Sequence, residues 1–173
     1  MKQEIMEWVK TILISLLIAL VITTFIKPTI VKNHSMQHTL EENDFLMINR
    51  LLYRQGEPHE GDIIVFKSPL MTATGQEKLL IKRIIGLPGD EIIIQDGRVY
   101  INGDLLEEPY LEDSYTLGDV NMVIPQGQMF VMGDNRNNSL DSRDQMLGLV
   151  DEEDIVGKAF LRLYPFNRFG WLQ

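Results

Sequence analysis

Residues 79–90 read Leu79-Leu80-Ile81-Lys82-Arg83-Ile84-Ile85-Gly86-Leu87-Pro88-Gly89-Asp90, an apolar run that ends in a turn rich in glycine and proline. Its isoleucines predict a β-strand over residues 79–85. Lys82 interrupts the run, and a lysine inside such a strand must either reach solvent or lose its charge. Burial disfavours the ammonium form and so lowers the pKa of a lysine. A lysine with a pKa near neutrality can act as a general base.

Short apolar segments on both sides of this stretch predict further strands, separated by turns rich in glycine. These predicted strands cover residues 44–49, 61–66, 91–94, 99–101, 128–132 and 155–163. Asp96-Gly97 and Asn102-Gly103 are typical of tight β-hairpin turns. Helical periodicity is weak outside the N-terminal segment. We therefore expect a mostly β fold, an antiparallel β-sandwich or barrel-like domain with one N-terminal transmembrane helix.

A hydrophobic segment precedes the β region. Thr11 to Ile26 contains no charged residue, and Trp8 and Val9 extend the apolar stretch to about 19 residues, close to the roughly 20 that span a bilayer. A cleaved secretory signal is the rival interpretation. However, the run ends Phe25-Ile26-Lys27-Pro28, without the small-residue site that cleavage requires. The segment therefore predicts an uncleaved transmembrane helix.

Charge around this segment indicates an orientation and a division of the chain. Lys2 and Lys10 precede the apolar run, so the positive-inside rule favours a cytoplasmic N-terminus. We expect residues 1–10 to form a short cytoplasmic N-terminus, residues 11–27 the transmembrane anchor and residues 28–173 an extracytoplasmic β domain. The last part is long enough for one domain with a hydrophobic core.

Composition argues against several classes of protein. The net charge is -9, whereas proteins that bind nucleic acid usually present a basic face. The chain contains no cysteine, which rules out disulfides, cysteine nucleophiles and Cys-rich zinc sites. Its 3 histidines are too few for a convincing metal site. We therefore expect no cofactor, no metal and no nucleic-acid partner.

Ser35 is the candidate nucleophile that a lysine base needs. It lies in Asn33-His34-Ser35-Met36-Gln37-His38-Thr39-Leu40, shortly after the hydrophobic segment. A serine hydroxyl becomes a good nucleophile when a base takes its proton, and Ser–Lys pairs are a known arrangement. Taken singly, such a serine is more often a plain loop residue, and such a lysine more often faces solvent. Only the fold can bring Ser35 and Lys82 together.

Four motifs follow the hydrophobic segment in a characteristic order. They are Ser35-Met36, residues 61–65 (Gly-Asp-Ile-Ile-Val), residues 82–90 (Lys-Arg-Ile-Ile-Gly-Leu-Pro-Gly-Asp) and residues 133–143 (Gly-Asp-Asn-Arg-Asn-Asn-Ser-Leu-Asp-Ser-Arg). In this combination the chain resembles the bacterial type I signal peptidase (leader peptidase) family in its short, single-anchor, Gram-positive-like form. The resemblance extends to about Phe160, and the two later motifs are long and specific.

The resemblance implies a role for each matching residue. Ser35 matches the nucleophile and Lys82 the general base, and Asn33 stands where some members have a second oxyanion donor beside the Ser35 backbone N–H. Residues that match the supporting shell are Ser139, Asp141, Arg143 and Asp134, with Asp141 and Arg143 as an ion pair. Residues that match the shallow substrate cleft are Ile30, Val31, Met36, Leu40 and Ile81.

The resemblance also implies an activity and a location. The protein would be a membrane-bound serine endopeptidase that removes N-terminal signal peptides from exported preproteins after Ala-x-Ala-like sites. Its partners would be preprotein signal peptides, membrane lipid and, by proximity, the secretion translocon. It would be a single-pass protein of the cell membrane with its catalytic domain on the extracytoplasmic side. An extended substrate would add a strand to a sheet edge near Ile81.

The chain departs from the family pattern at five positions. His38 replaces a proline, His34 a glycine or aspartate, Asn137 an aspartate, and Lys32 and Asn33 other residues. His38 is near enough in sequence to be an alternative base, but no orienting acid accompanies it there. We interpret both histidines as exposed turn residues rather than zinc ligands. The polar residues 133–138 lack the spacing of a calcium-binding EF-hand loop.

Three other functions are compatible with parts of the sequence. A self-cleaving repressor would share the fold but carry a DNA-binding domain, and the anchor and acidic charge argue against it. A non-catalytic membrane-anchored protein that retained the fold would not need both Ser35 and Lys82. A processing protease dedicated to one or few substrates would use the same residues as a general signal peptidase.

Overall fold

The computed structural model describes residues 1–112 and 115–172, beginning with a long N-terminal helix. Helix α1 covers Lys2–Phe25 and is long and apolar enough, by length and composition, to cross a membrane. It includes most of the residues 1–10 that the sequence assigned to a separate N-terminal part. The helix ends before Lys27-Pro28, since proline disfavours helical geometry at the preceding residue.

Strands are the main regular structure of the remaining described chain, which confirms the predicted mostly β fold class. Their bounds are β1 Ile26–Ile30, β2 Phe45–Asn49, β3 Ile63–Met71, β4 Glu77–Gly86, β5 Glu91–Gln95, β6 Arg98–Ile101, β7 Asp104–Leu105, β8 Val120–Val123, β9 Gln128–Met132, β10 Val150–Asp151, β11 Ile155–Tyr164 and β12 Gly170–Trp171. The short helices are α2 Leu52–Gln55 and two 3₁₀ turns at Glu152–Asp154 and Phe166–Arg168.

These strands form two antiparallel sheets. The larger has eight strands, in the order β1-β2-β11-β3-β4-β9-β10, with β12 paired to β11. The smaller has four strands, in the order β7-β6-β5-β8. The late strand β11 lies between β2 and β3. β4, which carries Lys82, pairs with β3 on one side and β9 on the other, so Lys82 lies in the interior of the larger sheet.

Separate hydrophobic clusters cover the two faces of the larger sheet. Ile63 and Val65 of β3 belong to one cluster, and Ile64 and Phe66 belong to the other. This division follows from the alternation of side chains along a strand. Lys82 pairs in register with Ile64 and therefore projects on the second face. β4 is buried throughout its second half, which explains the continuous apolar run in the sequence.

The smaller sheet contains both predicted hairpins. Asp96 and Gly97 have φ of 52° and 75°, and Asn102 and Gly103 have φ of 53° and 89°. Positive φ at both central residues is what a type I′ turn requires. The turns join β5 to β6 and β6 to β7, which confirms the two hairpins.

A third hydrophobic cluster joins the two sheets. It packs apolar residues of β5 and β6, such as Ile92 and Val99, with Ile85 of β4 and Phe130 of β9. The smaller sheet thus packs against the strands that lie beside Lys82. This arrangement places the loops of the smaller sheet close to the last motif.

Candidate active site

A contact between two buried polar side chains forms the centre of the site. Lys82 is 2% exposed and Ser35 is 8% exposed. The Lys82 amine hydrogen-bonds to Ser35 Oγ over 2.5 Å, although the residues are 47 positions apart in the chain. This is the arrangement that a serine nucleophile and its base require.

The surroundings of Lys82 favour its neutral form. Burial lowers the pKa of Lys82 from 10.5 to about 8, and the positive charges of Lys78 and Arg143 act in the same direction. The carboxylates of Asp141 and Asp134 oppose this shift, because they stabilise the ammonium. A large fraction of the lysine is therefore neutral near pH 8 and able to accept a proton.

Ser35 is held from two sides. Met36 and Leu40, which follow it, are fully buried in the first hydrophobic cluster. The backbone N–H of Asn135 donates to the Ser35 carbonyl at 3.0 Å. The Asn135 side-chain amide donates to the His34 carbonyl at 3.1 Å. Core packing and the loop of the last motif together set the position of Ser35.

Gly133 lies against Ser35, too close for any side chain. A methyl group at this position would overlap the Ser35 carbonyl oxygen and the Ser139 side chain. The Gly133 N–H donates to Asp141 Oδ2 at 3.1 Å. Glycine is therefore needed here for the close approach of two backbone segments.

Asp141 and Arg143 form a two-pronged ion pair beside Gly133. Arg143 Nε donates to Asp141 Oδ1 at 2.8 Å, and Nη2 donates to Oδ2 at 2.9 Å. Burial acts to raise the pKa of Asp141, but the hydrogen bonds and charge of Arg143 hold it below its ordinary value. Asp141 is thus an anion, and its charge raises the pKa of Lys82. Its ion pair with Arg143 also holds residues 141–143 in place.

Arg83 and Asp134 form a second buried ion pair, and Asp134 lies near enough to Lys82 to act on its pKa. Arg83 Nε donates to Asp134 Oδ1 at 3.0 Å, and Nη2 donates to Oδ2 at 2.8 Å. Thr39 Oγ1 donates to Asp134 Oδ2 at 2.5 Å. The pair links β4, the segment after Ser35 and the last motif, and the supporting role of Asp134 stays a prediction.

Two further residues of the expected site are Ser139 and Asn33. Within the described residues, the buried Ser139 Oγ has no hydrogen-bond partner. It nevertheless lies near enough to Asp141 to favour the ionised carboxylate. Asn33 is exposed and lines the same cavity as Ser35 and Lys82. The roles of both residues stay predictions.

Two adjoining cavities form a cleft beside the dyad. A cavity of about 400 Å³ lies between residues 29–33 and residues 77–81, and Ile30, Val31 and Ile81 line it. A second, of about 270 Å³, is lined by Ser35 and Lys82. The cleft residues Met36 and Leu40 expected from the resemblance line neither cavity. They lie in the core beside Ser35.

The histidines near Ser35 point to other partners. His38 Nδ1 lies 3.1 Å from Glu112, and His34 Nε2 lies 3.8 Å from Glu42. Glu112 is an acidic neighbour of His38 that the sequence analysis did not foresee. Among the described residues no cluster of three possible metal ligands is present. Both histidines are exposed, as interpreted from the sequence.

Sequence reasoning missed four residues around the dyad: Arg83, Arg136, Glu108 and Tyr110. The signal for Arg83 was available, because it adjoins Lys82 in a buried strand and a buried arginine needs an acidic partner. Arg136 lies within the last motif but has no partner nearby in sequence. Its acidic partner Glu108 is 28 positions away.

Comparison with known proteins gives a consistent result. The family model described as "Signal peptidase, peptidase S26" matches residues 5–164. The probable signal peptidase I-2 of Synechocystis sp. is 40% identical over 171 residues, covering 96% of this chain and 77% of that protein. The signal peptidase I of Bacillus licheniformis is 37% identical over 179 residues, covering 96% and 92%. The signal peptidase IB of Staphylococcus aureus is 34% identical over 188 residues, covering 98% and 94%.

A solved structure is similar as well. The crystal structure of a signal peptidase I from Enterococcus faecalis aligns with a TM-score of 0.50 and 34% sequence identity. The alignment covers 59% of this chain and 96% of that chain.

Proposed function

Because the chain belongs to the signal peptidase family, we propose that it is a membrane-bound serine endopeptidase that removes signal peptides from exported preproteins through a Ser35–Lys82 dyad. Family membership supports a peptidase of signal peptides. The observation that supports a Ser–Lys mechanism is the buried hydrogen bond between the Lys82 amine and Ser35 Oγ.

In the proposed reaction, one lysine serves as base and acid in turn. Neutral Lys82 takes the hydroxyl proton as Ser35 Oγ attacks the carbonyl carbon of the scissile peptide bond. The carbon–nitrogen bond then breaks, and the Lys82 ammonium gives its proton to the leaving amine. Lys82 next takes a proton from a water molecule that attacks the acyl-enzyme ester. The Ser35 oxygen leaves with the proton that Lys82 holds, and the signal peptide departs as a carboxylic acid, which releases the remaining water proton to solvent and becomes a carboxylate.

Negative charge on the tetrahedral intermediate needs hydrogen-bond donors. We assign this role to the Ser35 backbone N–H and, as second donor, to the side-chain amide of Asn33. Asn33 lies two residues before the nucleophile and lines the same cavity. Donors already in place when charge develops stabilise the transition state more than the ground state.

The cleft suits an extended substrate with small side chains. Among the described strands, β9 pairs with β4 only from Arg83 to Gly86, so residues 77–81 have a free edge beside the larger cavity. A substrate strand can add to this edge through backbone hydrogen bonds. Ile30, Val31 and Ile81 would then border its side chains, which supports cleavage after Ala-x-Ala-like sites.

The anchor and an aromatic surface support membrane location. α1 continues directly into β1, which pairs with β2, and β2 pairs with β11. Four exposed aromatic side chains lie near the end of this group: Tyr164, Phe166, Phe169 and Trp171. Aromatic residues favour the membrane interface. We propose a single-pass protein with residues 28–173 on the extracytoplasmic side, in contact with lipid and near the translocon.

A cleavage assay tests this function. The detergent-solubilised full chain is expected to cut a preprotein with an Ala-x-Ala site, and mass spectrometry of the new N-terminus should locate the cut after the second alanine. A matched preprotein with leucine in place of that alanine should resist cleavage, because the branched side chains that line the cleft would exclude a larger residue. Failure of the folded wild-type chain to cleave would favour a dedicated substrate or a non-catalytic role.

The pH dependence of cleavage tests the state of Lys82. We expect kcat/KM to rise with pH through a pKa of about 8, because only neutral Lys82 accepts the serine proton. Activity is lost as pH falls, to about 1% of the plateau two units below that pKa. Lys78→Met removes a positive charge that lowers this pKa, so its profile should move to higher pH. A wild-type limb near the free-lysine value of about 10.4 would contradict a buried base.

A further inference from the structure

A segment that follows the smaller sheet contacts two buried arginines near Ser35 and Lys82. Residues 106–112 follow β7, the strand at one end of that sheet. Glu108 and Tyr110 of this segment contact two buried arginines, Arg136 and Arg83. Neither Glu108 nor Tyr110 belongs to the motifs that support the proposed mechanism.

Glu108 is paired with Arg136. Arg136 Nη1 donates to Glu108 Oε2 at 2.8 Å, and Nη2 donates to Oε1. The Glu108 side chain is 5% exposed and the Arg136 side chain is 2% exposed. Arg136 Nη1 also donates to Thr116 Oγ1 at 2.6 Å. A pair this deeply buried holds its geometry firmly, because either charge left alone would be strongly unfavourable.

Arg136 in turn contacts the backbone around the dyad. Its Nε donates to the Gly133 carbonyl at 3.2 Å, and its own carbonyl accepts a bond from Arg143 Nη2 at 2.8 Å. Gly133 lies directly against Ser35, and Arg143 holds Asp141. Arg136 therefore contacts both Gly133, which lies against Ser35, and Arg143 of the Asp141–Arg143 ion pair.

Tyr110 makes the second connection. The Arg83 guanidinium lies over its ring at 3.9 Å from the centroid, a cation–π contact. Arg83 also holds Asp134. The Tyr110 hydroxyl donates to Glu108 Oε1 at 2.8 Å. Burial and the negative charge of Glu108 raise the pKa of Tyr110, so this hydroxyl stays protonated and keeps donating.

We infer that Glu108 and Tyr110 are positioning residues for the Ser35–Lys82 dyad, acting through Arg136 and Arg83. The inference rests on the proposed function, since it concerns how that dyad is held. A purely structural role, in which the segment only stabilises the smaller sheet, makes different predictions. Loss of positioning admits water to Lys82, whereas loss of sheet stability leaves the folded dyad unchanged.

The titration of Lys82 distinguishes these roles without any substrate. The full chain, solubilised in detergent and labelled with ¹³C at lysine Cε, is titrated by NMR. Lys82→Met identifies the Lys82 signal. In Glu108→Gln we expect the Lys82 pKa to rise by at least about half a unit, because water stabilises the ammonium. Removal of the Glu108 charge would by itself lower that pKa, so the direction separates positioning from direct electrostatics.

Three further variants complete the experiment. Tyr110→Leu removes no charge and is expected to raise the Lys82 pKa as well. Tyr110→Phe keeps the ring over Arg83, should give a smaller rise, and serves if Glu108→Gln does not fold. Asn102→Ala removes two hydrogen bonds of the same sheet, to Glu91 and Asp90, and should leave the titration unchanged.

The outcomes separate this inference from the proposed function. An unchanged or lowered Lys82 pKa in both Glu108→Gln and Tyr110→Leu overturns the inference, even if the wild-type chain cleaves preproteins. An equal rise in Asn102→Ala also overturns it, because the effect would then belong to the sheet as a whole. Where the wild-type chain does cleave, Glu108→Gln should lower kcat by about 10-fold with KM nearly unchanged, as expected for a misplaced catalytic group.

Discussion

Replacement of Lys82 by methionine is expected to slow preprotein cleavage by at least about 10³-fold, the scale of losing a general base and acid. Methionine is apolar and similar in length, so the buried site should accept it without the cost of burying an amine. Ser35→Ala should cause a comparable or larger loss. Because a nucleophile and its base act as a unit, the double variant should be no slower than the slower single variant.

The measurement is kcat/KM on the Ala-x-Ala preprotein, with far-UV circular dichroism to establish folding. Lys27→Met is the control, since Lys27 lies exposed on β1 of the same sheet and lines neither cavity of the cleft. It should retain the wild-type rate. Cleavage that survives in Lys82→Met but not in Ser35→Ala would refute Lys82 as the base. His38, with Glu112 beside it, would then be the base to test.

Loss of the Arg83 side chain is expected to have the largest effect on stability. Arg83→Met leaves the carboxylate of Asp134 buried without its two-pronged partner, which should lower the free energy of unfolding by about 3–5 kcal/mol. Urea unfolding of the solubilised chain measures this change. Arg98→Met, at an exposed position of β6, should change stability by less than about 0.5 kcal/mol.

A double variant tests the reason for that loss. Arg83→Met with Asp134→Leu removes both buried charges, so it should be more stable than Arg83→Met alone. If the double variant is no more stable, an unpaired carboxylate is not the cause. A loss below about 1 kcal/mol in Arg83→Met would show that water or other groups already satisfy Asp134.

Local patterns predicted much of the fold. The long N-terminal segment without charged residues indicated the helix α1. Runs of β-branched residues indicated β4 and β11, and the Asp-Gly and Asn-Gly pairs indicated two hairpins. Each of these features depends on neighbouring residues, so the sequence expresses it directly. Pairing order was not accessible in this way. β11 enters between β2 and β3, a choice made by packing between segments far apart in the chain.

The residues of the candidate site also fall into two groups, those that sequence motifs indicated and those that only the fold revealed. Sequence motifs singled out Ser35, Lys82 and the last motif, and the fold brought them within contact. Partners without a motif of their own were missed, such as Glu108 for Arg136 and Tyr110 for Arg83. Met36 and Leu40 also illustrate the limit. Their apolar character was compatible with a cleft or a core, and only packing placed them in the core beside Ser35.

By itself, the sequence determined the apolar N-terminal helix, the strands and turns, and the residue types available for chemistry. These follow from side-chain polarity, branching and backbone freedom over a few neighbouring residues. The tertiary structure alone decided that Lys82 is buried, that its amine meets Ser35 Oγ at 2.5 Å, and that Asp141, Asp134, Lys78 and Arg143 act on its pKa. Desolvation and hydrogen bonding require groups from distant segments to meet, and no single stretch of sequence contains that information.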